Sequence, residues 1–335
     1  MTIANWARAV AAAAVLATVL AGCGITSNQR GGSSNEADGT ISGLRLMVPT
    51  GPGGGYDVTA RTSAKAMEDA KIATNVRVFN LTGAGGTVGL QRLVNEKGTA
   101  DLAMMMGLSV VGAVYANKSE ATLTGTTPLA RMIEEAGAVV VSKDSPYQTL
   151  EALVQAWKAD PRKVIVGGGS SKGGTDYLLT MQLADAVGID PKVVNYLPYD
   201  SGGELLPALL GNKVVFGASC YVEFLDQIRA GQLRVLAVTT DQRVPVLPEV
   251  PTAREQGVNL EFTNWRGFVA PPGISDSDRA TLLGALDRLH RSDQWKQAIE
   301  RNGWTDAYLA GDEFATFLTE QDQRVAGVLS KLEPS

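Results

Sequence analysis

Cysteine and histidine are scarce in this sequence. Its 335 residues include two cysteines, Cys23 and Cys220, and a single histidine, His290. Clusters of these side chains bind zinc and similar metals, so we expect no transition-metal site, and nothing in the sequence predicts a bound cofactor. Cys220 ends an apolar run and is expected to be a small buried residue. If Cys23 carries a lipid, no intrachain disulfide can form.

Basic clusters are also missing. The sequence has 30 Lys and Arg against 35 Asp and Glu, a net charge of −5. Nucleic-acid-binding proteins usually carry a basic patch, so a nucleic-acid partner is not expected. The composition, 44% hydrophobic and 19% charged, is that of a globular protein, and the length suggests two domains. After residue 22, no apolar run is long enough to span a membrane.

The first residues have the pattern of a targeting segment. Arg8 precedes an apolar stretch at 9–20, which ends in "LAGC". This has the form of a lipobox, so we expect a lipoprotein signal peptide at 1–22 and a diacylglycerol on Cys23. An ordinary secretory signal that happens to contain this cysteine is the alternative. Residues 23–41, rich in Gly, Ser and Asn, are expected to form a flexible tether from the outer face of the cell membrane or within the periplasm.

Short apolar runs then alternate with amphipathic segments. Strands are predicted at 44–49, 76–80, 100–107, 138–143, 163–168, 192–197, 213–219 and 233–240. Helices are predicted at 56–71, 87–98, 149–160, 175–188 and 204–212, with further helices near the C-terminus. This alternation predicts an α/β fold with mostly parallel sheets flanked by helices.

Three times a predicted strand runs through glycines into a helix. We name these stretches loop A, "MVPTGPGGGYD" (47–57), loop B, "VFNLTGAGGTVG" (78–89), and loop C, "VIVGGGSSKGGTD" (164–176). A helix N-terminus offers unpaired backbone N–H groups and a partial positive charge. Glycine lets a ligand oxygen approach those groups closely. The pattern therefore favours an anion, carboxylate or phosphate, bound beyond the strand ends.

Other interpretations of these loops are weaker. Neither the G-x-x-x-x-G-K-[ST] phosphate loop nor the G-x-G-x-x-G dinucleotide spacing is present. Gly169, Ser171 and Gly173 do match the G-x-S-x-G turn of serine hydrolases, for which His290 is the sole available base. That histidine falls within a charged helical segment, an unusual place for a catalytic base. Simple tight turns remain the third possibility.

Five motifs, in order, carry a resemblance to a known family. They are "GPGGGYDVTAR", "NLTGAGGTVG", "LRVLAVTTDQR", "LPEVPTAREQG" and "FVAPPGI". The sequence resembles the substrate-binding receptors of tripartite tricarboxylate transporters, the TctC or Bug family, from residue 44 to about 330. The resemblance implies no enzyme but a monomeric two-domain Venus-flytrap receptor. Such a receptor binds a small di- or tricarboxylate and delivers it to a large and a small membrane subunit.

The resemblance also implies domain limits and a site. The first domain would comprise 42–141 plus 266–335, and the second 142–264. "NWRGFVAPPG" is closest to citrate-type members, whereas a receptor that signals to a kinase would have the same pattern. The expected ligand-binding residues are Gly53, Gly54, Gly55, Tyr56, Asp57, Gly83, Ala84, Gly85, Gly86, Thr87, Ser109, Ser170, Ser171, Lys172, Gly174, Thr175, Tyr199 and Ser219.

Two acidic positions qualify the citrate-like expectation. Asp57 would repel an anion, so we expect it to accept loop N–H groups and fix the shape of loop A. Arg61, one turn later, either pairs with it or faces solvent, and Lys172 either supplies positive charge or is merely solvated. Many relatives have His where Tyr177 stands and Lys where Asp200 stands. These departures leave the charge and size of the ligand open.

Overall fold

The computed structural model describes residues 39–331. The predicted signal peptide, Cys23 and most of the predicted tether lie outside these residues. Strands are β1 (Ile41–Ser42), β2 (Arg45–Val48), β3 (Ala73–Thr74), β4 (Arg77–Asn80), β5 (Leu102–Gly107), β6 (Thr127–Ser142), β7 (Ile165–Gly168), β8 (Asn195–Pro198), β9 (Phe216–Cys220), β10 (Leu233–Val238), β11 (Thr263–Ala270) and β12 (Thr305–Ala310). Helices are α1 (Gly55–Asp69), α2 (Thr87–Asn95), α3 (Leu108–Ala116), α4 (Leu150–Ala159), α5 (Thr175–Ala186), α6 (Gly202–Leu210), α7 (Leu225–Arg229), α8 (Asp276–Arg291), α9 (Asp293–Asn302) and α10 (Gly311–Ser330).

Most strands belong to one mixed sheet, in the order β4-β2-β5-β11-β6-β9-β7-β8, with β10 and β12 also paired to β6. At one flank β2 runs parallel to β4 and β5, and at the other β7 runs parallel to β8 and β9. The pairings of β6 in the centre are antiparallel. Loops A and B thus follow strands of one parallel flank, and loop C follows a strand of the other. The α/β class with flanking helices, predicted from the sequence, is confirmed.

Strand β6 joins the two flanks. Its first part pairs with β11 and β12, whereas Gly137–Ser142 pairs with β9 and β10. The sequence predicted only 138–143 as strand, because Glu134 and Glu135 interrupt the apolar pattern of the preceding residues. The domain limits at residues 141 and 266 fall inside β6 and β11, and they stay a prediction.

The core lies between this sheet and its helices. Strand β5 is buried along its whole length, and α1 turns a small-residue face, including Ala60 and Ala64, toward the sheet. On the other flank, Trp157 packs edge-on against Phe216 at 5.1 Å between ring centroids. Such aromatic contacts remove large apolar areas from water and fix the helices on the strands.

Helix α3 was not predicted. Its sequence, LSVVGAVYA, continues the apolar run of β5 and has little polar periodicity, so the two elements look like one buried segment. The C-terminal helical segment divides at Ser292, whose Oγ accepts the N–H of Trp295 and begins α9. No helix within residues 39–331 has both the length and the apolarity needed to cross a membrane.

Candidate ligand-binding site

Loop A is held by the carboxylate of Asp57. This buried side chain accepts the N–H of Gly53 at 2.9 Å, the Nδ2 of Asn80 at 2.9 Å and the Nε of Arg61 at 2.9 and 3.0 Å. Arg61 is the main cause that lowers the pKa of Asp57 to about 2, and the Gly53 and Asn80 donors add to it. Asp57 thus accepts a loop N–H group, as expected, and Arg61 pairs with it.

Tyr56 connects loop A to α3. Its hydroxyl lies 2.7 Å from the hydroxyl of Ser109 in the first turn of that helix. Burial raises the pKa of Tyr56, so the phenol stays protonated and can share this hydrogen bond. Two predicted site residues, 53 positions apart in sequence, are therefore neighbours.

Loop B packs on the next turns of α3. Gly85 and Gly86 have φ of 65° and 101°, which suit glycine. A β-carbon would lie 2.7 Å from that of Ala113 if placed on Gly85, and 2.9 Å from Val110 if placed on Gly86. These glycines are therefore required by close packing as well as by conformation.

Loop C repeats the arrangement of loop A. Asp176, in the first turn of α5, accepts the N–H of Gly169 at 2.6 Å, as Asp57 accepts that of Gly53. The Oγ of Ser170 accepts the N–H groups of Asp176 at 3.0 Å and Tyr177 at 3.3 Å, which caps the helix.

The pKa values of the two equivalent aspartates shift in opposite directions. Burial raises the pKa of Asp176 to about 6, although nearby Ser219 and the Gly169 N–H oppose this shift. The Ser219 hydroxyl lies near this carboxyl but forms no hydrogen bond with any residue of 39–331. Arg61 donates to Asp57, whereas no arginine within residues 39–331 donates a hydrogen bond to Asp176.

Loop C also touches α3. A β-carbon on Gly112 would overlap the carbonyl oxygen of Gly173, and one on Gly173 would lie 2.9 Å from the β-carbon of Ala116. Helix α3 therefore contacts all three glycine loops, through Ser109, Ala113 and Gly112 respectively. This unpredicted helix is the element that brings the loops together.

Some predicted residues lie at the edge of this assembly. Ser171 and Lys172 are exposed, and Lys172 lines a cavity of about 600 Å³ with residues of α3 and α10 such as Tyr115 and Leu329. Tyr199 is half-buried, and its N–H donates to the carbonyl of Gly168 at 2.8 Å. Gly83, Ala84 and Thr87 complete loop B, and Gly174 and Thr175 begin α5.

Three charged residues near these loops were missed. Arg266 of β11 and Glu135 of β6 form a buried ion pair at 2.6 Å. Glu223 follows β9, and its carboxylate packs against the start of α6, where a β-carbon on Gly202 would overlap it. With Asp176, they form what we call the charged cluster (Glu135, Asp176, Glu223 and Arg266).

The carboxyl groups of the charged cluster affect one another's pKa values. Burial, followed by Asp176 and Glu135, raises the pKa of Glu223 to about 7, whereas Arg266 lowers it. Glu223 nevertheless keeps an exposed side chain, so solvent screens part of this repulsion. A charged residue inside an apolar strand, as in "TNWRGFVA" and "MIEEAGAVV", is the sequence signal that would have identified Arg266 and Glu135.

His290 serves a different purpose from catalysis. Its Nε2 lies 2.9 Å from Asp306, and its ring stacks on Tyr308 at 4.2 Å between centroids. Ser171 belongs to loop C, before α5. The histidine thus joins α8 to β12. Cys220 is buried as expected, with 2% of its surface exposed.

Two parallel flanks, joined through β6 and ending in glycine loops at helix N-termini, define the class of periplasmic solute-binding proteins. Comparison with known proteins identifies the family within this class. The family model described as "Tripartite tricarboxylate transporter family receptor", TctC, matches residues 59–333, and the chain belongs to this family. It is a solute-binding receptor and not an enzyme, which removes the serine-hydrolase interpretation.

Curated relatives and solved structures agree with this assignment. Protein BugT of Bordetella pertussis is 28% identical over 299 residues, 85% of this chain and 88% of that protein. A TctC solute-binding protein from Polaromonas has a TM-score of 0.75 at 25% identity, over 87% of this chain and 99% of that one. MatC from Rhodopseudomonas palustris, with bound malate, has a TM-score of 0.68 at 20% identity, over 88% and 99% of the two chains. Rpa4515 of R. palustris, with adipate, has a TM-score of 0.72 at 20% identity, over 87% and 97%.

Proposed function

We propose that this receptor captures a small dicarboxylate or tricarboxylate between loops A and B on one side and loop C on the other. The observation that carries the proposal is the convergence of three glycine loops, each at a helix N-terminus, on α3. Backbone N–H groups at such ends bind anions without a large basic patch, which suits a chain of net charge −5. Malate in MatC and adipate in Rpa4515, two proteins of the same fold, support this ligand class.

We further propose that binding closes two domains, 42–141 plus 266–335 and 142–264, about the strands β6 and β11. The closed form would deliver its ligand to the large and small membrane subunits of a tripartite tricarboxylate transporter. A diacylglycerol on Cys23 would keep the receptor at the membrane surface. Citrate is one candidate within the ligand class, and the mass of the mature N-terminal peptide tests the lipid.

Isothermal titration of the protein with malate, adipate and citrate tests the ligand class. Butyrate and inorganic phosphate serve as chemical comparisons. Binding of a di- or tricarboxylate, with little or no binding of phosphate, is the expected result. If none of the three polycarboxylates produces heat or raises the melting temperature, the proposed ligand class is wrong.

Gly54→Val tests the role of loop A. Gly54 has a φ of −74°, and the nearest atom to a β-carbon there is the Gly51 oxygen at 3.6 Å, so a side chain fits without strain. The valine would cover the N–H groups at the start of α1. We expect the melting temperature to stay within a few degrees, while the affinity for the dicarboxylate falls at least tenfold. Unchanged affinity would contradict the role of this loop.

A further inference from the structure

The guanidinium of Arg266 has one side occupied and one side free. Its Nη1 and Nη2 donate to the two oxygens of Glu135 at 3.3 and 2.6 Å, and Nη1 also donates to Thr59 Oγ1 at 3.2 Å. The Nε, although buried, has no hydrogen-bond partner among residues 39–331. The edge formed by Nε and the second hydrogen of Nη2 is therefore unused. That edge has the spacing of a carboxylate's two oxygens.

Arg266 packs against the start of α1. A β-carbon on Gly55 would overlap Nη2 and would lie 3.2 Å from Nε. The first turn of α1 leaves the N–H groups of Gly55, Tyr56 and Asp57 without intrahelical acceptors. These backbone donors and the guanidinium of Arg266 thus lie next to each other, beside loop A.

Without an anion, this arrangement is unfavourable in two ways. A cation next to a helix N-terminus is repelled by the helix dipole. A buried donor without a partner loses its hydration and gains nothing in return. Glu135 offsets the charge of Arg266, but it leaves Nε unbonded. A carboxylate at the free edge would remove both penalties at once.

The rest of the charged cluster restricts where an anion can sit. Arg266 is its only cation, against the carboxyl groups of Glu135, Asp176 and Glu223. Asp176 and Glu223 lie on the side of loop C. A ligand carboxylate is therefore attracted most strongly on the side of α1, next to Arg266.

We propose that Arg266 is a specificity-determining residue, whose free edge grips one carboxylate of the ligand together with the first turn of α1. This assignment rests on the proposed function, since it presupposes a carboxylate ligand. Glu135 accepts from Nη1 and Nη2 and leaves Nε available to the ligand. The ligand that fits is one whose carboxylate reaches the end of α1 while the remainder extends toward loop C.

A double-mutant cycle separates this role from a structural one. In Glu135→Gln the cation remains, and in Arg266→Gln/Glu135→Gln both charges are removed, so no uncompensated buried charge is left. We expect E135Q to bind malate or adipate at least as tightly as the wild type. We expect the double variant to bind roughly 10- to 100-fold more weakly, while its melting temperature stays near that of the wild type.

Arg234→Gln is the matched control, because this β10 arginine donates only to the carbonyls of Lys143 and Tyr147 among residues 39–331. Its affinity should not change. A purely structural ion pair predicts the opposite pattern, with E135Q weakened and binding restored in the double variant. That result, with normal wild-type binding, overturns the role of Arg266 alone. Absence of malate and adipate binding by the wild type overturns this assignment together with the proposed ligand class.

Discussion

At the scale of single residues, Asp57 and Asp176 each hydrogen-bond to a glycine loop, but their pKa values shift in opposite directions. Each lies in the first turn of a helix and accepts the N–H of a glycine in the preceding loop. Arg61 and Asn80 surround Asp57 and keep its pKa low, at about 2. Asp176 has no such partner, and burial raises its pKa to about 6. A rise in pH therefore increases the stability contributed by Asp57 and decreases that contributed by Asp176.

Asp57→Asn should remove the acid sensitivity that loop A contributes. Since the folded pKa of Asp57 lies below its unfolded value, its stabilisation is present above about pH 4 and is lost as the pH falls toward 2. We expect D57N to lower the free energy of unfolding by about 1–2 kcal/mol at pH 7, and by much less at pH 2.5. Urea unfolding at both values measures this.

Asp69→Asn is the control for this variant. Asp69 lies on the same helix and pairs with Lys65, but both side chains are exposed. Its effect should be below about 0.5 kcal/mol at either pH. If D57N and D69N behave alike, the Asp57 network does not fix loop A.

Asp176→Asn should remove the loss of stability that the wild type shows as the pH rises from about 4 to about 6. The folded pKa of Asp176 is above its unfolded value, so the native state binds the proton more tightly, and stability falls as the pH rises from about 4 to about 6. The wild type should lose about 2–3 kcal/mol from this carboxyl over that interval, whereas D176N should not.

Unfolding free energies at pH 4.5 and 7 for the wild type, D176N and Asp185→Asn measure this effect. Asp185 is an exposed residue next to the end of α5 that pairs with Lys331. D185N should keep the wild-type slope. A D176N protein with the wild-type slope would show that Asp176 titrates normally.

At the scale of elements, α3 determines how the glycine loops meet. The alternation of strand and helix predicted the two parallel flanks. The aspartate after the glycine run predicted the hydrogen bond from a loop A N–H group to Asp57. The alternation did not reveal α3, because β5 and α3 follow each other directly and together form one nearly continuous apolar run. The pairing of Glu135 with Arg266 spans 131 residues, so local pattern alone could not show it.

Gly112→Ala should separate α3 from loop C. The added methyl group would overlap the Gly173 carbonyl, and backbone must move to accept it. We expect a loss of about 1–3 kcal/mol in unfolding free energy and weaker dicarboxylate binding. Thermal unfolding and calorimetric titration report the two effects.

Gly327→Ala in α10 is the matched helical control. A β-carbon there meets nothing within 4 Å, so this variant should be as stable as the wild type or up to about 1 kcal/mol more stable. Its ligand affinity should not change. Equal behaviour of the two alanine variants would mean that the contact between α3 and loop C is unimportant.

At the scale of the whole molecule, the proposed binding mode requires both parallel flanks to contribute to one site. Loops A and B follow β2 and β4, loop C follows β7, and β6 connects the flanks. A ligand that contacts both sides adds its binding free energy to folding, about 2.7 kcal/mol at 100 times its dissociation constant. The acidic net charge of −5 is compatible with an anionic ligand, since the proposed donors are mainly backbone N–H groups.

The central claim is that all three glycine loops contact one carboxylate ligand. The most direct measurement is the amide ¹H–¹⁵N NMR spectrum of the protein during titration with malate or adipate. The account predicts concerted shifts of Gly53 and Gly54 in loop A, Gly85 and Gly86 in loop B, and Gly173 and Gly174 in loop C, with the solvent-facing Gly327 unchanged. Binding that shifts amides elsewhere, while these six glycines stay fixed, would contradict it.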